Sequence, residues 1–169
     1  MTAGAVILMS IESGTARIGH DHAAMVRTNA IDCIKLPCLD NHRKWTSVVV
    51  HSSTDIDRDQ ELYHFVIKKK AGKWLIVATD NWEKQVESRH LGSMGRQYPD
   101  SVGVCLAGNF TTNPPKSEQF QPLMILVNEL QKRFNVNADS VYLRRELDPD
   151  SRIPGKTFPA NLFNSNLLR

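Results

Sequence analysis

What this chain lacks narrows it before any motif does. No run approaches the ~18 consecutive apolar residues that a bilayer-spanning helix needs, so neither a transmembrane segment nor a membrane partner is expected. The opening stretch MTAGAVILMSIESG has a short apolar core with no basic residue ahead of it, which makes a poor signal peptide. The default expectation is a cytoplasmic protein, with an extracytoplasmic location left open. Charge of one sign is also scarce. A net +3 over 169 residues does not indicate nucleic acid and supports only a weak bias toward anionic ligands. Cysteine is limited to Cys33, Cys38 and Cys105. The first two leave a disulfide and a pair of free thiols as alternatives, and CIKLPC has no second Cys/His pair with which to build a zinc knuckle. Cys105 sits inside an apolar run as a small buried residue would, which argues against a cysteine nucleophile. No Gly-x-Ser-x-Gly element offers a serine nucleophile either. Repeats and low-complexity tracts are missing too.

What is present describes one soluble domain. The length is enough to bury roughly two-thirds of the unfolded surface, and 41% hydrophobic with 23% charged residues is an ordinary globular balance. Residues 1–43 show no sustained periodicity and are read as an irregular extension with one short helix near His22–Thr28. From Lys44 to the end the pattern sharpens into a folded domain, 44–169. Thr46–His51 reads as a buried strand, β-branched and uninterrupted. Leu62–Lys69 follows as a second strand, whose alternation puts Tyr63, Phe65 and Ile67 on one face and His64 and Val66 on the other. A turn at Gly72 returns the chain as Trp74–Thr79, and Ser101–Leu106 forms a fourth strand. Ser117 suits an N-cap for a helix to Phe134, with Phe120, Leu123, Val127, Leu130 and Phe134 as its apolar stripe. Pro122 conflicts with a regular first turn. Val141–Arg145 is a short fifth strand before a loop-rich tail. The expected class is α/β, a central mixed sheet of about five strands flanked by helices.

Several segments, taken in order, carry a resemblance. They are WTSVVVHSS, YHFVI, the Trp82–Gln85–His90 series in NWEKQVESRH, SVGVCLAGNF, a Pro-Pro-x-Ser-x-Gln helix start, VYLRREL and IPGKTFP. Together, over Trp45–Pro159, they resemble the type 2 N-acetylmuramoyl-L-alanine amidases and the peptidoglycan recognition proteins. The resemblance implies a zinc ion held by two histidines and a cysteine or aspartate, with an open position for water. It also implies a tyrosine near that water and cleavage of the amide joining muramic lactyl to L-alanine. His51 matches the first ligand, Tyr63 the catalytic tyrosine and His90 a groove histidine. The second ligand normally opens a His-Arg-Asp/Glu-Val element, and here Arg144 stands in its place. The third normally precedes Pro-Gly, and here it is Ile153. Guanidinium and an alkyl chain offer a metal nothing. The stretch Ser52–Leu62 is also short for the helix that walls the groove in active relatives.

Each candidate has a plainer reading beside it. His51 is a zinc ligand or a strand-end histidine bonded to Ser52 or Ser53. Tyr63 is catalytic or packed with a wet hydroxyl. Arg144 binds a ligand carboxylate, or pairs with Glu146 or Asp148. Trp82 lines the groove or fills the core, and Lys68–Lys70 is a solvated hairpin tip. The favoured function is recognition of a muropeptide by a homologue that no longer hydrolyses it and holds no metal. The alternative is an active zinc amidase that recruits a substitute ligand such as His90. A purely protein-binding role is a third reading.

Overall fold

The computed structural model describes residues 32–34, 43–87 and 97–169. The proposed helix near His22–Thr28, Cys38 and His90 lie outside the described residues. A five-stranded sheet organises the rest. Its strands are β1 (Ser47–Ser53), β2 (Phe65–Lys70), β3 (Lys73–Ala78), β4 (Ser101–Ala107) and β5 (Val141–Leu143), in spatial order β3-β2-β4-β1-β5. β4 runs parallel to both β1 and β2, β5 runs parallel to β1, and β2–β3 is an antiparallel hairpin, so the sheet is mixed. The hairpin turns on Ala71 and Gly72, both at positive φ, as a tight two-residue connection between right-twisted strands requires.

Apolar runs explain the central strands. Val48 and Val50 of β1, Val102, Val104 and Leu106 of β4, and Phe65 and Ile67 of β2 meet one main core. That core is closed by α3 (Ser117–Phe134), which buries Leu123, Leu126, Val127 and Leu130. Each such side chain contributes about 1.5–3 kcal/mol on burial. Ser117 is the first helical residue rather than the cap. The Lys116 carbonyl accepts the first helical N–H bonds, and the Gln119 side chain accepts from the Lys116 N–H at 3.4 Å. Pro122 is buried within the helix, which runs through it unbroken. Gln119 also donates to the Ala107 carbonyl, tying the start of α3 to the end of β4.

One difference from the sequence reading and one agreement with it bear on the site. The fifth strand stops at Leu143, and Arg144–Leu147 forms a one-turn helix, α4. Between β1 and β2 the chain makes only α1 (Ile56–Asp59) and a 3-10 turn, Gln60–Leu62, in keeping with a connection too short for a full helix. Two further short α-helices are α2 (Asp80–Glu83) and α5 (Ala160–Ser165), the latter inside the tail read as loop-rich, and a 3-10 turn, Ala138–Ser140, precedes β5. No helix among the described residues is long and apolar enough to cross a membrane.

Candidate functional site

The parallel strands β1 and β4 end together, with His51 beside Cys105 and Cys105 beside Val66 of β2. Carboxyl ends of parallel strands are where α/β sheets open clefts, because successive connections leave in different directions there. A cavity of about 340 Å³ lies at these ends, lined among others by Ser53, Asp59, Tyr63, Asn109, Arg152 and Ile153. Its size suits a small ligand. Arg58, Asp59, Asn109 and Arg152 were not singled out from sequence. Their loops carry no motif, and the only available signal was their position just after strand ends.

The site is held from several sides. The Ser52 hydroxyl donates to the Pro154 carbonyl at 3.2 Å, and the Ser53 hydroxyl donates to Asp59 at 2.6 Å. Gly155 sits at φ +107°, where a Cβ would overlap the Phe110 backbone, so only glycine lets these two segments touch. Arg145 secures the same loop twice, its backbone N–H donating to the Ile153 carbonyl and its guanidinium to Gly155.

The sequence candidates divide. His51, 5% exposed, and Tyr63, 7% exposed, come together with ring centroids 4.9 Å apart. Tyr63 does not share a face with Phe65 and Ile67 as strict alternation predicts. It packs instead with Ile56, Val66 and Cys105, in a second apolar cluster. The reason is a bend at His64, just before β2 begins. The His64 N–H donates to the Gly103 carbonyl at 2.9 Å, and its Nδ1 accepts from the Gly103 N–H at 2.8 Å. That exchange turns His64 into the main core, where it meets the edge of Trp45 at 4.7 Å. Trp82 does not line the groove either. It is 1% exposed and packs on Trp45, Phe65 and Phe134, since an indole of that size in a one-turn helix over β2 fills the core.

Arg144 follows Leu143, which pairs with Val50 of β1, and opens the one-turn helix α4. Its Nη2 donates to Asp148 at 2.8 Å, the acid pairing weighed from sequence. Ile153 borders the cavity at 37% exposure. Among the described residues no group of three or more His, Cys, Asp or Glu side chains converges as a metal site would require.

Electrostatics separates the remaining groups. Hydrogen bonds from Ser53 and then Arg58 hold the Asp59 carboxyl below its usual range. Burial pushes the Tyr63 phenol well above its ordinary value, so it stays protonated. Burial also raises the Cys105 thiol to about 12, despite a hydrogen bond with Tyr63 that lowers it. At neutral pH Cys105 is a thiol facing apolar neighbours and has no nucleophilic character.

Solved structures of similar shape were found at low identity. The N-acetylmuramoyl-L-alanine amidase LysC from Clostridium intestinale is 18% identical with a TM-score of 0.58, over 74% of this chain and 87% of that one. AmiD from E. coli, solved with anhydro-N-acetylmuramic acid-L-Ala-D-gamma-Glu-L-Lys, is 17% identical at 0.57, over 78% of this chain and 61% of that one. The Drosophila peptidoglycan recognition protein PGRP-LB, as a variant bound to tracheal cytotoxin, is 17% identical at 0.53, over 76% and 87%. Among curated proteins none matches the sequence. These likenesses establish the fold, a five-stranded mixed sheet flanked by helices as in amidases and peptidoglycan recognition proteins. The family model for N-acetylmuramoyl-L-alanine amidase matches residues 17–156, most of the sequence, and the chain belongs to that family.

Proposed function

We propose that this protein recognises a muropeptide or related peptidoglycan fragment in the cavity at the strand ends, without hydrolysing it. One observation carries the reading. Of the three positions that the family resemblance assigns to zinc, His51 alone offers a donor. Arg144 is a guanidinium already paired with Asp148, and Ile153 is an alkyl chain. The donor set does not fit zinc, because one imidazole leaves a tetrahedral ion without the further protein ligands that hold it. The cavity survives beside this altered set, so a shaped site persists where the chemistry lacks its metal ligands. AmiD and PGRP-LB, of like fold, were solved with peptidoglycan fragments, which supports the same ligand class here.

The test is metal analysis of protein purified with zinc present, alongside a hydrolysis assay on a muramoyl peptide and a thermal-shift titration. The expected result is substoichiometric zinc, no cleavage and a raised melting temperature with the fragment. Stoichiometric zinc that His51→Ala abolishes, together with cleavage of the lactyl–alanine bond, would overturn the reading in favour of an active amidase with a substitute ligand such as His90. If no cell-wall fragment shifts the melting temperature, the protein-binding role replaces it.

A further inference from the structure

Arg152 is exposed on the lining of the strand-end cavity, and among the described residues its side chain makes no hydrogen bond or ion pair. The other cation on that lining, Arg58, is held by Asp55 at 3.3 Å and by Asp59 at 2.9 Å. A guanidinium offers five donors in a planar fork and no acceptor, and it keeps its charge at any ordinary pH. The strong acceptors beside Arg152 are already engaged. Asp59, the lining's one carboxylate among the described residues, takes bonds from the Ser53 hydroxyl and from Arg58. The Asn109 side-chain oxygen accepts from the Thr111 N–H at 2.9 Å, which leaves its amide nitrogen as a further donor. On the side chains of this lining, what stays open to a ligand is weighted toward donors. The backbone beneath is firm. The Arg152 carbonyl accepts from the Gly155 N–H at 2.6 Å, and the carbonyls of Ile153, Pro154 and Gly155 accept from the Arg145 N–H, the Ser52 hydroxyl and the Arg145 guanidinium. The chain around Arg152 is fixed while its fork can close on a ligand in the cavity.

We propose that Arg152 binds a free carboxylate of the peptide stem, and that the cavity therefore takes an acidic stem in preference to one whose acids are amidated. A carboxylate presents two oxygens to the fork and gains charge-assisted hydrogen bonds, roughly twice as strong as those a neutral amide oxygen accepts. An amidated acid also brings an NH2 donor to a lining already weighted toward donors. Because Arg152 is exposed, water and salt weaken the charge contribution without abolishing it, so the discrimination is about tenfold rather than all-or-none. This inference rests on the strand-end cavity being the ligand site. The same carboxylate chemistry is available from a free muramoyl lactyl group, and the experiment separates the two sources.

Calorimetric titrations at neutral pH would compare N-acetylmuramoyl-L-alanyl-D-glutamate with its diamide, and N-acetylmuramic acid with its methyl ester. The expected result is about tenfold tighter binding of the diacid than of the diamide, with a preference that shrinks as salt is raised. Arg152→Gln, an exposed substitution that leaves the fold standing, should bring the diacid down to the level of the diamide. Arg152→Lys keeps the charge but not the fork, and should keep only part of the preference. Lys156→Gln removes an exposed cation of the same loop that does not line the cavity, and should leave the preference intact. Equal binding of diacid and diamide by the unaltered protein overturns the proposal while leaving fragment recognition in place. Binding of neither overturns fragment recognition as well. A preference that Lys156→Gln removes as fully as Arg152→Gln overturns the fork in favour of diffuse charge. If N-acetylmuramic acid binds as tightly as the diacid and loses that affinity as its ester, the stem assignment is overturned in favour of the lactyl acid.

Discussion

Acid should destabilise this protein through one buried histidine. His64 is 2% exposed. Its Nδ1 accepts from the Gly103 N–H, which leaves Nε2 to carry the proton and donate to the Val86 carbonyl at 2.8 Å. Both ring nitrogens are therefore satisfied only while the ring is neutral. A second proton, on Nδ1, would point at the Gly103 N–H and put a charge between two indoles. Burial lowers the His64 pKa to about 4, and the charge of Arg43 adds to this, against a smaller raising effect of the Val86 bond. An ordinary histidine titrates near 6.5, so the unfolded chain takes up this proton first as pH falls. The stabilisation is complete above about pH 6.5, declines from there to about pH 4, and is gone below that. The gap corresponds to about 3 kcal/mol. Urea unfolding between pH 4 and 8 measures it, with His64→Gln as a non-titrating reference whose amide can still donate and accept. Carboxylates such as Asp59 and Asp80 also lose stabilisation in acid, but equally in both proteins. The difference between the two pH profiles should therefore approach the stated magnitude over this window. Parallel profiles would refute the reasoning.

Two other outcomes follow from the same kind of geometry. Gly155→Ala forces a Cβ into the Phe110 backbone from a left-handed conformation, and should cost about 1–3 kcal/mol or more in thermal or urea unfolding. Cys105 should resist alkylation at pH 8 in the folded protein and react on unfolding, which peptide mass mapping would follow.

The strands and the long helix were legible because their signals are local. Val48–Val50, Phe65–Ile67 and Val102–Leu106 are apolar runs, and the stripe of Leu123, Val127 and Leu130 repeats at helical spacing. His51 and Tyr63, whose rings pack against each other, were singled out through the family pattern around them. What alternation misplaced was the face of Tyr63, since the bend at His64 depends on a partner, Gly103, distant in sequence. Trp82 was equally ambiguous, because an indole suits a groove wall and a core alike. The short helices Arg144–Leu147 and Ala160–Ser165 span too few residues for a period to be seen. Whether Arg144 would meet Asp148 or Glu146 was a question of rotamer, and the structure divides the acids. Asp148 takes the guanidinium, while Glu146 turns back to accept from the Leu143 N–H at 2.7 Å.

The strand order also governs how the chain comes together. Among the described residues, β4 is the one strand that hydrogen-bonds both the β1–β5 pair and the β2–β3 hairpin. Until it inserts, Val48–Val50 and Phe65–Ile67 have no common ladder, and neither two-stranded piece is large enough to persist alone. The sheet thus assembles around a strand synthesised after β1 and the β2–β3 hairpin and before β5. Nascent chains ending before Ser101 carry two apolar edges with nothing between them, and such edges invite pairing with other chains. A short apolar strand in mid-sequence thereby sets the interval during which this protein is most exposed to aggregation.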